Sequence, residues 1–303
     1  MKKAIGMNWL ARADLSNLNS GEGIGNLTQL KLYRGNQYPY NSGQAVRHAL
    51  FETLQREHGE VMKCLPESPC GQIETCWACD LRGYLIAEKL DENAKGTSDK
   101  RWSPLKVTPA LGTKPVDLTT DLLLQFTANP AENRIANIQL TENIYRIGMC
   151  IDIANIGRQE KPVFIANGRK EKFSHWQESA NISDDQRRQR VHAVLDAVYR
   201  LSGFAKQARG AVSLAPEVMF LSVQDHYHQR GLDVLLLDDE GNADISRVIS
   251  YIQDRQFDGD QVLFAYTPGV ITNGEEMAEA VRTTGLPVLS VRESFEKAKA
   301  LVE

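Results

Sequence analysis

The chain has 303 residues, of which 42% are hydrophobic, and its formal net charge at neutral pH is −4. A chain of this length can bury the core of one large domain or of two small ones. No apolar run approaches the roughly 20 residues that a membrane helix needs, and no long apolar segment follows the two N-terminal lysines, so we expect a cytoplasmic protein without a membrane partner.

The first predicted elements are a strand, a glycine-rich loop and a helix. Residues 3–16 alternate loosely between apolar and polar types, which is typical of a strand. The run NLNSGEGIGN at 17–26 carries three glycines and three asparagines, and this composition predicts a loop. A helix then begins after Ser42, which is a suitable N-cap, and we expect this helix to stop near Gly59.

Residues 60–120 are the least regular part of the sequence. They contain most of the cysteines, the charged run EKLDENAKGTSDKR and several prolines. We therefore predict that this segment is an insertion and that it contributes no core element.

Four of the five cysteines lie between residues 64 and 79. An odd number of cysteines without an export signal argues against a disulfide framework. The spacing C-x5-C-x5-C-x2-C can bring four thiolates to one tetrahedral zinc ion. Two interpretations stay open, a structural zinc site and four reduced cysteines without a metal, and no other cofactor is required. The zinc ligands would be Cys64, Cys70, Cys76 and Cys79.

The second half of the chain opens with a strand and a hairpin. Residues 137–156 are rich in isoleucine and favour a long strand. A strand-like run leads into the pair Asn167-Gly168, which predicts the turn of a hairpin.

The sequence SDDQRRQRVHAVLDAVYRLSGFA carries the clearest helix signal. Ser183 and Gln186 fit a capping box, and we expect Gly203 to end the helix. A strand is expected near 217–224, and a helix, strand, helix, strand and helix are expected over 243–303. The buried stripe of the helix is predicted to consist of Val191, Val194, Leu195 and Val198.

This order of elements predicts the fold class. Strand, helix, insertion, strand, helix and strand follow one another as in a split βαβ, or ferredoxin-like, unit, which RNA-recognition domains also use. We expect an α/β (α+β) protein that forms one domain over 1–303, with an αβ supplement at its C-terminal end. Residues 231–303 carry 14 acidic and 6 basic side chains, so residues 1–230 carry a net charge of +4, which is compatible with a local polyanion site.

The glycine-rich loop and the start of the first helix have the chemistry of an anion site. Glycines let the backbone N–H groups of residues 17–26 approach a ligand closely, and a nest of such groups binds anions. Arg47 lies in the first turns of the helix, where an arginine suits a phosphate. A surface loop and a solvated helix face are the alternative interpretations, and both stay open.

The hairpin and the loop after the second helix are further candidates. Between Arg158 and Lys172 the sequence has five basic and two acidic residues, and Trp176 follows shortly after. This combination can hold phosphates and stack on bases. An ordinary exposed hairpin remains open as the alternative. Lys206 and Arg209 lie in a short loop between two glycines and are further candidates for a phosphate contact.

At this point the sequence resembles a known family. NLNSGEGIGN followed by YPYNSGQAVRHAL resembles the N-terminal signature of the DevR-type backbone subunit of CRISPR Cascade, a RAMP protein, in its type I-B form. The resemblance is strongest over 4–60 and continues through the long strand, the helix at 183–203 and the AKQARGA loop. It implies a modified RNA-recognition palm with finger and thumb insertions. The implied palm comprises 1–59, 121–156 and 183–230, the fingers 60–120, the thumb hairpin 157–182 and the acidic C-terminal portion 231–303.

The resemblance also implies a function. Subunits of this family polymerise along the guide RNA, or crRNA, and the complex pairs the guide with target DNA, so base pairing reads the sequence. The implied partners are crRNA, target DNA, further copies of the chain, other Cascade subunits, and a nuclease-helicase or a transposition adaptor. The implied RNA-binding residues are Asn17, Asn19, Ser20, Gly21, Gly23, Gly25, Asn26, Ser42, Gln44, Arg47, Arg158, Arg169, Lys170, Lys172, Trp176, Lys206 and Arg209.

Two other functions stay open as alternatives. The first is a zinc-dependent enzyme that processes nucleic acid, with the four cysteines holding the metal and Asp14, His226 or His228 assisting. The second is a DNA-binding autoregulator, although no helix-turn-helix signal supports it. The sequence has no G-x-S-x-G, no H-E-x-x-H and no carboxylate pair in an evident motif, so we predict a non-catalytic protein.

Overall fold

A large mixed sheet with helices on both faces organises the protein. The computed structural model describes residues 2–18, 27–88, 97–125, 134–167, 170–204 and 210–303. The strands are β1 (Ala4–Ser16), β2 (Leu27–Thr28), β3 (Leu32–Tyr33), β4 (Tyr38–Asn41), β5 (Tyr84–Glu88), β6 (Thr97–Arg101), β7 (Leu105–Val107), β8 (Ala110–Gly112), β9 (Thr119–Gln125), β10 (Arg134–Asp152), β11 (Arg158–Asn167), β12 (Lys170–Asn181), β13 (Val218–Gln224), β14 (Gln261–Tyr266) and β15 (Val288–Leu289). The helices are α1 (Gly43–Glu57), α2 (Asp184–Tyr199), α3 (Ile245–Phe257), α4 (Gly274–Thr283) and α5 (Val291–Ala300).

The centre of the sheet has the predicted ferredoxin-like arrangement. The main path through the sheet runs β15-β14-β13-β1-β10-β8-β4-β3. β1 pairs antiparallel with both β10 and β13, and β10 pairs antiparallel with β7 and β8. With α1 after β1 and α2 after β10, this order is that of a split βαβ unit, so the predicted fold class is confirmed.

Helices cover both faces of the central strands. Because successive side chains of a strand point to opposite faces, they pack alternately into two hydrophobic cores. Trp9 packs with α1 and α2 on one face, whereas Leu10 packs with α3 and α4 on the other. Every residue of β13 is buried for this reason. A fully buried large apolar side chain contributes roughly 1.5–3 kcal/mol relative to an exposed one, so this double cover fixes the sheet that positions the candidate site.

Part of the irregular segment 60–120 belongs to the core. Leu105 in β7 and Ala110 in β8 are fully buried, and both strands join the large sheet. The prediction that 60–120 contributes no core element is therefore wrong for these strands. They were missed because strands of three residues are too short to show an alternating pattern.

The second helix begins as predicted and ends earlier than predicted. Ser183 and Gln186 form the capping box, and the predicted stripe of apolar residues is buried. The helix ends at Tyr199, so Gly203 does not stop it. Gly203 instead lies against α1, where a Cβ atom would be 2.5 Å from the carbonyl oxygen of Ala49. The glycine allows the chain to approach α1 closely.

The helices and strands of residues 243–303 follow the predicted order and extend the sheet by β14 and β15. α5 packs against α2, where Tyr199 and Phe295 have ring centroids 5.6 Å apart and Lys299 pairs with Asp196 at 2.7 Å. Among the helices that the structure describes, none has the length and apolar character to cross a membrane.

The predicted hairpin is present and forms a separate sheet. β11 and β12 pair antiparallel with each other and with no strand of the large sheet among those described. Most of their described side chains are exposed. The hairpin therefore projects from the sheet and is attached at its base, residues 155–158 and 181–182.

Candidate nucleic-acid interface and metal site

Asn17 at the start of the glycine-rich loop and Leu30, shortly after the loop, are both bonded to Gln139 on β10. The Asn17 side chain donates to the carbonyl oxygen of Gln139 at 2.9 Å, and the Leu30 N–H donates to the Gln139 side-chain oxygen at 3.1 Å. Asn17 is only 4% exposed, so it anchors the loop at this point of the sheet.

Many of the predicted RNA-binding residues lie outside the part of the chain that the structure describes. The predicted RNA-binding residues that lie outside are Asn19, Ser20, Gly21, Gly23, Gly25, Asn26, Arg169, Lys206 and Arg209. For Lys170 only the backbone, at the start of β12, is described. Their roles therefore stay predictions.

The start of α1 presents one capping residue and one exposed amide. Ser42 is the N-cap, and its hydroxyl accepts a hydrogen bond from the Ala45 N–H at 3.2 Å. Gln44 is exposed. The positive end of the helix dipole lies here, and such an end favours anions.

Arg47 and Arg82 form a pair of arginines beside one aromatic ring. Their guanidinium carbons lie 5.6 Å and 4.5 Å from the ring centroid of Phe51. Arg47 donates to the carbonyl oxygens of Arg82 at 2.9 Å and Leu105 at 3.3 Å, which fixes its side chain. Within the described residues neither arginine forms an ion pair with a carboxylate.

Electrostatics makes this pair a candidate anion site. Burial lowers the pKa of both guanidinium groups, and the charge of Arg47 lowers the pKa of Arg82 further, while the charge of Glu67 acts in the opposite direction. Each guanidinium has five N–H donors, so Arg47 keeps donors beyond its two carbonyl contacts. Two half-buried like charges would be stabilised by an anion. Sequence patterns gave no indication of Arg82, because Arg82 follows the cysteine cluster in the irregular segment and meets Arg47 only in the folded chain.

The hairpin carries a cluster of exposed aromatic rings. Phe164 and Phe173 have centroids 6.2 Å apart, and Phe173 and Trp176 have centroids 5.6 Å apart. The three residues are 53%, 45% and 61% exposed, respectively. Clustered rings on a projecting hairpin are unusual for a surface that faces only water and offer faces on which bases can stack.

Two cations of the hairpin, Arg158 and Lys172, differ in ion pairing and exposure. Arg158 at the base forms ion pairs with Glu160 at 2.6 Å and Glu178 at 3.3 Å, so it is largely neutralised by its neighbours. Lys172 lies on β12 next to Phe173 and is exposed. Of these two residues, Lys172 is the better candidate for a phosphate contact.

A groove of about 280 Å³ lies between the hairpin and residues 100–106, which connect β6 to β7. Trp176 of the hairpin and Trp102 after β6 both line it, together with Lys100 and Lys106. Trp102 is 77% exposed, and the Lys100 amino group lies 5.7 Å from its ring centroid. Two exposed indole rings with nearby lysines match the composition of single-strand binding grooves.

The four predicted cysteines meet in space. Their sulfur atoms all lie within 4.8 Å of one another, and those of Cys70 and Cys79 are 3.7 Å apart. Zn–S bonds of about 2.3 Å in a tetrahedron place neighbouring sulfurs roughly 3.8 Å apart. The group is therefore compatible with one metal ion. Cys150, the fifth cysteine, is buried on β10 away from this group.

Backbone donors around the cysteines fit metal-bound thiolates. Burial raises the pKa of Cys79, and a hydrogen bond from the Gly71 backbone acts against this effect. Burial also acts to raise the pKa of Cys70, but a backbone hydrogen bond from Gln72 and the neighbouring thiols outweigh it, so the pKa of Cys70 is lowered. N–H groups directed at sulfur stabilise thiolates, which are the metal-binding form.

The donor set distinguishes a structural from a catalytic metal site. Four cysteines fill a tetrahedral zinc ion, whereas catalytic zinc sites keep one position open for water or substrate. Among the described residues the four cysteines are the only group of three or more potential ligands close enough to share a metal. Asp14 is exposed on β1, and His228 pairs with Asp260 at 3.0 Å, so neither joins the cysteines.

A buried ion cluster lies directly beside the cysteines. Asp80 belongs to a π-helical turn, Ala78–Arg82, and is fully buried. One carboxylate oxygen pairs with Arg101 and the other with Arg190, and these two arginine side chains are only 5% and 1% exposed. No sequence pattern indicates this cluster, because Asp80 and Arg190 are 110 positions apart.

Comparisons with known proteins identify the family. A family described as "CRISPR-associated negative auto-regulator DevR/Csa2" matches residues 8–67 and 63–227. No curated protein matches the chain in sequence. Two solved chains, from a "CRISPR RNA-guided surveillance complex" and a "CRISPR RNA-guided surveillance complex, pre-nicking", each have a TM-score of 0.59 to this structure at 12% and 11% identity. In both cases the match covers 99% of this chain and 100% of the other.

The family match includes the stretches on which the predicted resemblance rested, namely the glycine-rich loop, the start of α1 and α2. At 11–12% identity the likeness to the solved chains concerns the fold alone. The match extends over nearly the full length of this chain and of each solved chain. Because the family match covers most of the chain, the protein belongs to the CRISPR-associated DevR/Csa2 family.

Proposed function

We propose that the protein is a non-catalytic, RNA-binding backbone subunit of a CRISPR Cascade surveillance complex of the type I-B form. Copies of the chain polymerise along one crRNA, and the complex pairs the guide with target DNA in antiviral defence or RNA-guided transposition. The observation that carries the proposal is the projecting hairpin with its three neighbouring exposed rings. It occurs on a fold shared with chains of RNA-guided surveillance complexes.

In this proposal the palm grips the RNA backbone and leaves sequence reading to base pairing. Arg47 and Arg82 bind a phosphate near the start of α1, since they lie together and neither forms an ion pair with a carboxylate of the described residues. The loop 17–26 adds backbone N–H groups from a stem that is fixed to Gln139. Close main-chain approach supplies contacts that do not require net positive charge.

The hairpin and the groove beside it hold bases. Phe164, Phe173 and Trp176 offer stacking faces, and Lys172 lies close to them in sequence. The groove between Trp176 and Trp102 continues this surface toward the body of the protein. Stacking on aromatic rings tolerates any base, as a subunit that meets many guides requires.

Other components supply the chemistry of the complex. A nuclease-helicase or a transposition adaptor acts on the paired DNA together with other Cascade subunits, while this chain has a binding role. The closed group of four thiols supports this division over the alternative of a zinc-dependent enzyme, because it leaves no open position on a metal.

Salt dependence of RNA binding tests the phosphate contacts. We expect Lys172→Gln, Lys206→Gln and Arg209→Gln each to reduce the slope of log affinity against log salt by about 0.7, the value for one phosphate on a single strand. Each variant should weaken two RNAs of unrelated sequence to the same extent. Fluorescence anisotropy at several salt concentrations measures both quantities.

Lys297→Gln is the matched control, since Lys297 is an exposed lysine near the end of α5 and should leave the slope unchanged. Sedimentation with RNAs of two lengths tests polymerisation, and the longer RNA should carry more copies of the chain. Unchanged slopes in all three variants would refute the assignment of phosphate contacts to Lys172, Lys206 and Arg209. A chain that stays monomeric on saturating RNA would refute the assembly.

The four cysteines bind one structural zinc ion in this proposal. We expect metal analysis of protein purified under reducing conditions to find about one zinc per chain. Cys70→Ser should lose the metal, and it removes an exposed thiol, so little core packing is disturbed. Cys150→Ser is the control and should keep the zinc.

An RNA-cleavage assay separates the structural from the catalytic interpretation of this site. A non-catalytic subunit should show no turnover with or without a chelator. Turnover that a chelator abolishes and zinc restores would favour the enzyme, and wild-type protein that takes up no zinc would refute the metal site.

A further inference from the structure

The base of the projecting hairpin is held by an unusually complete set of hydrogen bonds. Four consecutive carbonyl oxygens, those of residues 155–158, each accept one. Arg101 donates to those of Asn155 and Arg158 at 2.7 Å each. Arg187 donates to that of Ile156 at 2.8 Å, and the Ile182 N–H donates to that of Gly157 at 3.0 Å.

Gly157 is the point at which the chain turns into the hairpin. Its φ is +68°, and a Cβ atom at this position would lie 2.1 Å from the Ile182 side chain, so only glycine fits. Its N–H donates to the carboxylate of Asp80 at 2.9 Å. The direction in which the hairpin leaves the body therefore depends on Asp80 and Arg101.

Asp80 is part of the cysteine segment itself. It follows Cys79 directly, and its N–H donates to the carbonyl oxygen of Cys76 at 3.1 Å. Asp80 holds Arg101 twice, through its carboxylate and through its own carbonyl oxygen at 3.0 Å from the Arg101 Nε. Asp80 thus connects Cys76 and Cys79 to Arg101, the arginine that bonds to the hairpin base.

Arg190 ties the same segment to α2. It donates to the carbonyl oxygens of Ile73 at 2.8 Å and Glu74 at 2.7 Å, which lie between Cys70 and Cys76. Asp80, Arg101 and Arg190 together carry a formal charge of +1 in the interior. Four thiolates around a divalent cation carry a formal charge of −2 and would offset this excess.

We propose that metal occupancy of the four-cysteine site sets the position of the projecting hairpin, with Asp80 and Arg101 as the positioning residues between them. The inference rests on the zinc binding proposed above. When the metal holds the cysteine segment in place, the carboxylate of Asp80 fixes Gly157 and Arg101 at the hairpin base. When the metal leaves, the base loosens while the large sheet keeps its structure.

Hydrogen exchange measures this coupling directly. In the zinc-loaded protein, backbone amides of residues 155–159 and 180–182 should exchange about tenfold more slowly than in the chelated protein. Amides of β13, in the centre of the large sheet, should exchange at the same rate in both states. Co²⁺ uptake, followed by its thiolate charge-transfer absorption, verifies that the site is loaded.

Arg101→Lys tests the positioning role. A lysine cannot donate to the carbonyl oxygens of Asn155 and Arg158 in the same way, but all four cysteines remain. The variant should bind the metal, and the zinc-dependent difference at the hairpin base should fall from about tenfold to less than about twofold. Arg255→Lys is the control, since Arg255 is equally buried beside Asp260 in the C-terminal portion and should leave the difference intact.

The outcomes separate the two proposals. Wild-type protein that binds neither zinc nor cobalt refutes the metal site. Wild-type protein that binds the metal but exchanges at the same rate with and without it refutes the coupling alone. The coupling is also refuted if Arg101→Lys keeps the full difference, or if chelation accelerates exchange in β13 as much as at the hairpin base.

Discussion

Asp80→Ala is expected to lower the free energy of unfolding by about 3–5 kcal/mol. The carboxylate is fully buried and pairs with both Arg101 and Arg190. Removing it leaves two guanidinium groups in the interior without their anion, and this desolvated charge, more than any lost contact, carries the cost. Urea denaturation of the reduced, zinc-loaded protein measures the effect.

Glu279→Ala is the matched control for this substitution. Glu279 pairs with Arg282 on α4 at 2.8 Å, but the two side chains are 70% and 49% exposed. An exposed pair of this kind contributes about 0–1 kcal/mol. If the two variants lose the same free energy of unfolding, the stabilising role of the buried cluster is refuted.

Trp176→Ala is expected to weaken RNA binding by roughly 5- to 150-fold, which corresponds to the loss of about 1–3 kcal/mol of stacking with one base. The ring is 61% exposed, so the fold does not depend on it and the free energy of unfolding should change by less than about 1 kcal/mol. Trp176→Phe keeps an aromatic face and should recover most of the affinity. Anisotropy with single-stranded RNA at one fixed salt concentration measures the loss.

Phe257→Ala provides the control for an exposed aromatic residue. Phe257 ends α3 in the C-terminal portion and is 93% exposed, which places it outside the proposed interface. Its removal should leave RNA affinity unchanged. Equal losses for both variants, or wild-type affinity for Trp176→Ala, would contradict the stacking role of the hairpin.

Elements with a local signal were predictable from the sequence. The capping box of Ser183 and Gln186 and the hairpin around Asn167 depend on residues within a few positions of one another. The order of strands and helices then predicted the ferredoxin-like centre of the sheet. The spacing of the four cysteines likewise indicated a metal site, and their sulfur atoms meet in the fold.

The short strands and the inner contacts of the site were not predictable in the same way. β7 and β8 are stabilised by pairing with β10 and β4 and have too few residues for a pattern of their own. Arg82 has no sequence feature that separates it from an ordinary surface arginine, yet it meets Arg47 over the ring of Phe51.

The sequence by itself therefore determined the family, the order of the main elements and the candidate ligands of a metal. Only the tertiary structure decided that Asp80 joins the cysteine segment to Arg101, Arg190 and the hairpin base. The physical reason is that capping, turns and periodicity act over a few residues. A buried charge, in contrast, is neutralised by whichever partner the chain topology brings near, here 21 and 110 positions away.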